Sequence, residues 1–144
     1  MVIFLDVDGV LNQLQRNYYI DVKCVRILAR ICKKLKGTIV LTSSWRLGYT
    51  HTGTCSPQIE QLKELFAAHG IKISGRTGVL GDRTLEIKDY IKRHNVKNYL
   101  VLDDDKSEFK SGWLLNTYIV NYKTGLVVDD IKAIKEMYYD NVIY

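Results

Sequence analysis

Asp6 and Asp8 are the residues of this chain whose types and spacing point most directly to chemistry, because they close its first apolar run one residue apart. The run is short and rich in β-branched and aromatic residues, which predicts a buried strand over residues 2–6, and Gly9 predicts a turn directly after the acids. Alternate residues of a strand face the same side, so the two carboxylates can point into one pocket. Carboxylates this close repel each other unless a cation lies between them, and hard divalent cations prefer oxygen ligands. For this motif alone, the alternative is a solvated acidic turn.

A second apolar run ends in three consecutive acids, Asp103, Asp104 and Asp105. The run predicts a strand over residues 98–103, and three adjacent carboxylates at its end are costly without a compensating charge. A solvated acidic loop is again the alternative. Two such strand ends in one short chain favour a shared acidic site at the carboxyl edge of a sheet, where open α/β sheets bind their ligands.

The segment Leu41-Thr-Ser-Ser-Trp-Arg46 places hydroxyl groups and a cation at the end of another predicted strand, residues 38–42. Hydroxyls and main-chain amides at a strand end can surround phosphate oxygens, and Arg46 can add a bidentate phosphate contact. The alternative is that Thr42 and Ser43 only cap a turn. Trp45 is interpreted as a packing residue.

Strands and helices alternate along the chain, which predicts a mostly parallel sheet with helices on both faces. The first strand is the most uniformly apolar, so we expect it at the centre of the sheet. Gly37 is expected to end the first helix, and Leu85 and Ile87 to face the core from the third. The predicted strands are residues 2–6, 38–42, 71–74, 98–103 and 117–121. The predicted helices are residues 21–36 with Asp21 as N-cap, a segment that Ser56-Pro57 opens and Gly70 ends, residues 84–94, and a last segment capped by Asp129 or Asp130.

Length, composition and charge indicate an ordinary globular protein that acts on an anionic substrate. The 144 residues suit one domain, residues 1–144, and the net charge of +5 despite the acidic clusters favours a phosphorylated or polynucleotide substrate. No apolar stretch approaches the roughly 20 residues of a membrane span, and the first apolar run is too short for a signal peptide, so we expect a cytoplasmic location and no membrane partner. The sequence offers no basis for a protein partner.

The three cysteines lack metal-ligand spacing; Cys24 and Cys32 are expected in the core, and Cys55 in an exposed loop.

Together the three strand ends resemble the haloacid-dehalogenase-like (HAD) superfamily of phosphohydrolases. The first motif of that superfamily is an apolar strand ending in Asp-x-Asp-Gly, as in Leu5–Val10 here. The second ends in threonine or serine, as in Val40–Thr42, and the fourth ends in paired aspartates, as in Val101–Asp104. The resemblance covers nearly the whole chain and implies an α/β fold, the HAD-like Rossmannoid three-layer sandwich with a mostly parallel central sheet.

More closely, the chain resembles the small phosphatase-like domains of multi-enzyme RNA-repair proteins. The matching segments are Leu41–Arg46, Arg83–Ile87, Leu102–Asp105 and Thr124–Leu126. The superfamily's third motif is a lysine or arginine near the start of the helix before the fourth strand. Arg83 lies about where that group belongs and Lys88 is the alternate; each could instead be a solvated helix cation.

The resemblance implies phosphoryl transfer in two steps through an aspartyl-phosphate. Asp6 is the implied nucleophile, and Asp8 the implied acid that protonates the leaving oxygen and then the base that activates water. The implied Mg²⁺ site consists of Asp6, Asp8 through its main-chain carbonyl, Asp103 and Asp104. The implied phosphate-binding groups are Thr42 and Arg83, with Ser43, Arg46 and Lys88 as further substrate-binding residues.

Cap domains, which cover the site in many members of the superfamily, have no room in this chain. They are inserted at two places that correspond here to residues 9–21 and 74–83, both of which are short. An open site suits a macromolecular substrate, so we expect a Mg²⁺-dependent phosphomonoester hydrolase, with nucleic-acid end phosphates as a candidate substrate. The alternatives are a phosphatase of small molecules, nucleotides or phosphoproteins, and a HAD-like domain that binds phosphate without turnover. A receiver-like signalling module, with its phosphoacceptor on a middle strand, would lack the Asp-x-Asp-Gly motif.

Overall fold

A parallel sheet of five short strands forms the centre of the protein. The computed structural model describes residues 1–14 and 19–143. The strands in chain order are β1 (Val2–Leu5), β2 (Thr38–Leu41), β3 (Ile73–Arg76), β4 (Tyr99–Asp103) and β5 (Thr117–Ile119). Their spatial order is β3-β2-β1-β4-β5, and every neighbouring pair is parallel. The central position predicted for the first strand is therefore confirmed.

In the described residues, four α-helices connect the strands or follow the last one: α1 (Val22–Leu35), α2 (Pro57–Ala68), α3 (Arg83–His94) and α4 (Val128–Ile143). Two short 3₁₀ helices, Ser44–Gly48 and Lys106–Glu108, follow β2 and β4. The predicted caps of α1 and α2 are confirmed, because Asp21 accepts a hydrogen bond from the Lys23 amide and Ser56 accepts one from the Ile59 amide. None of the helices in the described residues is long and apolar enough to cross a membrane.

The sheet separates two apolar layers, which makes the molecule the predicted three-layer sandwich. Successive strand residues point to opposite faces. On one face, Ile3 and Leu5 pack with α1, α2 and α4 in the larger core cluster. On the other face, Phe4 packs with Ile87 of α3. Side chains buried this fully each contribute roughly 1.5–3 kcal/mol of hydrophobic stabilisation.

Three details of the predicted packing were wrong. Leu85 is 44% exposed, because residues two apart on a helix point in nearly opposite directions and Ile87 takes the buried side. Cys55 is only 5% exposed, since its loop folds back so that the thiol contacts Thr50. The left-handed residue that ends α1 is Lys36, at φ 52°, and not Gly37.

Strand register brings the predicted site residues to one level at the carboxyl edge of the sheet. Leu5 is in register with Leu41 of β2 and with Leu102 of β4. The residues that directly follow these three are Asp6, Thr42 and Asp103. The ladder continues into them, because the Asp6 amide donates to Leu102 O at 2.9 Å and the Thr42 amide donates to Leu5 O at 3.0 Å. No cap domain covers this edge in the part of the chain that the structure describes, which leaves out residues 15–18 in the first of the two places for such an insertion.

Candidate active site

Three carboxylates converge where β1 and β4 end. Asp6, Asp103 and Asp104 each offer one oxygen atom, and these oxygens all lie within 4.8 Å of one another. The side chain of Asp103 is 1% exposed and that of Asp6 is 13% exposed. Gly9 permits this approach, since a Cβ added there would lie 2.1 Å from Asp104 Oδ2, and its φ of +83° also suits only glycine without strain.

The acid cluster of Asp6, Asp103 and Asp104 carries more negative charge than its protein surroundings offset. Burial, the neighbouring charge of Asp103 and a hydrogen bond to Asp104 together raise the pKa of Asp6 well above its usual value, although Arg83 opposes this. Burial also raises the pKa of Asp103 to about 6, again against Arg83. A hard divalent cation would relieve this repulsion, and carboxylate oxygens are the ligands that Mg²⁺ prefers. The donor set of the acid cluster therefore fits Mg²⁺.

Without Mg²⁺, the thermal stability of the protein is expected to fall as pH rises from about 4 to about 6. The native state of Asp103 holds its proton to about pH 6, whereas the unfolded state releases it near 3.8, so the native state binds more protons across this window. The stabilisation that this proton provides is complete below pH 3.8 and is lost as the pH rises past about 6. The rise in the pKa of Asp103 from 3.8 to about 6 corresponds to about 3 kcal/mol in the free energy of unfolding.

The measurement is Tm against pH for the wild type and for Asp103→Asn, each with chelator or with Mg²⁺. We expect the variant to lack this part of the pH dependence, and Mg²⁺ to stabilise only the wild type at pH 7. Superimposable curves for the two proteins would contradict the prediction.

Arg83 is the cation that the structure brings to the acid cluster. Its Nη1 donates to Asp103 Oδ2 at 2.8 Å and to Thr42 Oγ1 at 3.1 Å, and lies 3.8 Å from Asp6 Oδ1. Arg83 is the first residue of α3, whose N-terminus is fixed by Asp82 as N-cap. Lys88 is exposed on the same helix, and no hydrogen bond or ion pair within the described residues joins it to the acids. Of the two cations considered from the sequence, only Arg83 lies in the site.

Arg46 is placed differently from the sequence-based expectation of a direct phosphate contact. It is buried, and its guanidinium donates to the carbonyls of Thr42 and Ser43 and to Glu86 Oε2 at 3.1 Å. Glu86 also accepts from the Leu80 amide at 2.8 Å. Arg46 thus ties the end of β2 to α3 and the loop before it, so the structure favours a positioning role.

Ser43 likewise serves the local fold. Its side chain caps the 3₁₀ helix that follows β2 by accepting from the Trp45 amide at 3.2 Å. Ser43 therefore has the turn-capping role that the sequence offered as the alternative to phosphate binding. Asp105 caps the other 3₁₀ helix through the Ser107 amide at 3.0 Å and does not belong to the acid cluster.

Asp8 is held by two side-chain donors rather than by the acid cluster. Asn12 Nδ2 donates to Asp8 Oδ1 at 3.0 Å, and Trp45 Nε1 donates to Asp8 Oδ2 at 3.1 Å. Asn12 also accepts from the Gly9 amide at 2.8 Å, which ties it to the turn after β1. With both oxygens occupied, the carboxylate has a fixed orientation, as an acid or base near a reacting group requires. Metal ligation by the main-chain carbonyl of Asp8 stays a prediction.

Sequence reasoning missed the roles of Asn12, Trp45 and Glu86. Asn12 and Trp45 are far apart in sequence and meet only at Asp8. The one available signal for Glu86 was its place in the segment Arg83–Ile87 that carried the family resemblance.

Trp45→Phe is expected to lower kcat about tenfold with little change in KM. The substitution keeps an aromatic ring but removes the donor to Asp8, and a hydrogen bond to a charged group contributes roughly 1.5–3 kcal/mol. Steady-state kinetics test this, with Trp113→Phe as the matched control, because Trp113 is half exposed and packs on Phe109. A Trp45→Phe protein no slower than the control would show that the indole only fills space.

One known protein family matches most of the chain. The family model described as the HAD domain in Swiss Army Knife RNA repair proteins matches residues 2–131. The chain belongs to this family. No curated protein and no solved structure matches the chain. The HAD family supports a hydrolase of the phosphatase type; its members typically use Mg²⁺, and the acid cluster of this HAD domain could hold such an ion.

Proposed function

We propose that this HAD domain is a Mg²⁺-dependent phosphomonoester hydrolase that works through an aspartyl-phosphate on Asp6, and that its substrates are phosphates at nucleic-acid ends. The observation that carries the proposal is the convergence of the acid cluster with Arg83 and Thr42 at one open sheet edge. This arrangement offers a nucleophile, phosphate-binding donors and a cation site within contact of one another.

In the first step, a carboxylate oxygen of Asp6 attacks phosphorus. A bond forms between Asp6 and phosphorus while the bond from phosphorus to the ester oxygen breaks, and Asp8 gives its proton to that leaving oxygen. Arg83 and Thr42 offer donors to the phosphoryl oxygens as charge shifts during the transfer. Arg83 is preorganised for this, because Asp103 and Thr42 already fix its guanidinium.

In the second step, water attacks phosphorus and Asp8, now a base, takes its proton. The bond between Asp6 and phosphorus breaks, inorganic phosphate leaves, and the Asp6 carboxylate is restored. The hydrogen bonds from Asn12 and Trp45 keep Asp8 in one orientation through both steps.

The residues proposed to hold Mg²⁺ are Asp6, Asp103 and Asp104, together with the main-chain carbonyl of Asp8. When bound, the ion supplies positive charge that lets the Asp6 carboxylate approach an anionic phosphate. The raised pKa values of Asp6 and Asp103 support this assignment, since both reflect carboxylates that lack sufficient compensating charge.

Three features support a nucleic-acid end as the substrate. Within the described residues no cap domain covers the site, so a phosphate on a long polymer can reach it. The net charge of +5 favours a polyanion. The family to which the chain belongs is described from RNA-repair proteins.

The deciding experiment measures phosphate release with Mg²⁺ and with chelator. The substrates are an aryl phosphate, mononucleotides, a phosphopeptide, and DNA and RNA oligonucleotides with 3′- or 5′-phosphates. Release that depends on Mg²⁺ and is fastest from one kind of oligonucleotide end is the expected result. Faster release from a mononucleotide or from the phosphopeptide would contradict nucleic-acid ends as the substrate class. If folded protein releases no phosphate from any substrate, a domain that binds phosphate without turnover is the remaining hypothesis.

A further inference from the structure

An open pocket of about 630 Å³ lies at the free edge of β3, beside the end of β2. Its walls come from the loop after the first 3₁₀ helix, from the end of β3 and from the C-terminal half of α3. Its lining includes four ring side chains and a cation, namely Tyr49, His51, Arg76, Tyr90 and His94. No acidic side chain is among the described residues that line it. Its volume is in the range of small-molecule binding sites.

Flat rings form one wall of this pocket, which we call the β3 pocket. The rings of Tyr90 and His94 are stacked, with centroids 4.0 Å apart and planes at 22°. Contact with the core fixes the Tyr90 ring, because it packs edge-on against Phe4 with a centroid separation of 5.6 Å. Gly75 makes room for it, since a Cβ there would lie 2.8 Å from the Tyr90 hydroxyl. A rigid aromatic surface of this kind is suited to stacking with a nucleobase.

Arg76 connects the β3 pocket with the active site. It is the last residue of β3 and is in register with Leu41, the residue before Thr42. Two strand spacings, about 10 Å, separate β3 from β1, the strand that Asp6 follows. The side chain of Arg76 is exposed and makes no hydrogen bond or ion pair with any residue in the described part of the chain. Its guanidinium is therefore available for an anion that approaches the site along this edge.

We propose that the β3 pocket binds a base one or two nucleotides in from the phosphorylated end, by stacking on His94 and Tyr90, and that Arg76 contacts the backbone phosphate between that base and the active site. The base of the terminal nucleotide is too close to its own phosphate to reach these rings, because Tyr90 and His94 follow Arg83 on α3 by about 10 and 16 Å along the helix axis. This inference rests on the proposed function, because it starts from a terminal phosphate bound at Asp6. Stacking accepts every base, so the pocket selects polynucleotide ends over other phosphates without selecting a sequence. The cation at its mouth favours a polymer over a mononucleotide, because only the polymer has a second phosphate to offer.

The test compares kcat/KM for single-stranded oligonucleotides in which the second and third nucleotides from the phosphorylated end either have their bases or are abasic. The wild type is expected to prefer the base-bearing end about tenfold, which corresponds to the usual contribution of one stacked base. In His94→Ala this preference should shrink towards one. Arg76→Ala should lower kcat/KM on both oligonucleotides several-fold and reduce the salt dependence by one phosphate contact. Arg93→Ala is the matched control, since Arg93 is 74% exposed on α3 and pairs with Asp89 outside the pocket.

A second readout separates this inference from the proposed function. Fluorescence anisotropy of the same oligonucleotides on Asp6→Asn protein measures binding without turnover. If the wild type hydrolyses oligonucleotide ends but shows no base preference, or if His94→Ala keeps the full preference, the β3 pocket inference is wrong and the proposed function stands. If nothing is hydrolysed, the proposed function fails, and the pocket inference stands or falls with the effect of His94→Ala on binding of the base-bearing end. Faster turnover of a phosphotyrosine peptide that also depends on His94 would overturn the assignment to a nucleobase.

Discussion

Asp6→Asn is expected to reduce phosphate release at least about a thousandfold while leaving the protein folded and, without Mg²⁺, more stable to heat. The loss of activity follows because the amide is not a nucleophile and no aspartyl-phosphate can form on it. The gain in stability follows because burial and neighbouring carboxylates already raise the pKa of Asp6, so its ionised form is disfavoured in the native state. An asparagine of the same shape removes that charge.

The measurement pairs phosphate release with thermal unfolding for Asp6→Asn and for Asp105→Asn. Asp105 is the matched control, since it is an exposed acid near the same strand ends whose side chain caps a 3₁₀ helix. The control should stay within a few-fold of the wild type. Residual Mg²⁺-dependent activity of a few per cent in Asp6→Asn would mean that another group is the nucleophile.

Arg83→Leu is expected to have the second-largest effect, because it removes both a phosphate-binding donor and the counter-charge of the acid cluster. The guanidinium donates to Asp103 and Thr42, and its own side chain is only 10% exposed. Removing one partner of a buried ion pair typically costs 3–5 kcal/mol, because the remaining charge is left uncompensated. Activity should fall at least about a hundredfold, as for the loss of a preorganised transition-state donor.

The pattern of rescue distinguishes these two roles of Arg83. The double variant Arg83→Leu/Asp103→Asn should regain much of the stability and none of the activity. Mg²⁺ and lower pH should also stabilise Arg83→Leu, since each reduces the net negative charge of the acid cluster. Lys88→Leu is the control on the same helix and should change stability by no more than about 0.5 kcal/mol. A large loss of activity in Lys88→Leu with Arg83→Leu still active would assign the phosphate-binding role to Lys88 instead.

The order of elements and the level at which the acids meet could be predicted from the sequence alone. Asp6 follows the apolar strand β1 and Asp103 is the last residue of the apolar strand β4, and parallel strands bring their carboxyl ends to the same edge. These signals are local: an alternating or continuous apolar pattern, a cap, a turn residue. The same signals carried the family resemblance, which the match over residues 2–131 confirmed.

Only the tertiary structure decided which side chains serve the site and which serve the fold. Arg83 and Lys88 lie five residues apart on α3 and so point about 140° apart, but which of them faces the acids depends on how α3 packs across the sheet. Arg46 has the composition of a phosphate ligand, yet burial beside Glu86 commits its donors to the protein. The support of Asp8 by Asn12 and Trp45 and the assembly of the β3 pocket likewise join segments far apart in sequence. Such contacts are set by packing between elements, whereas sequence periodicity specifies each element only by itself.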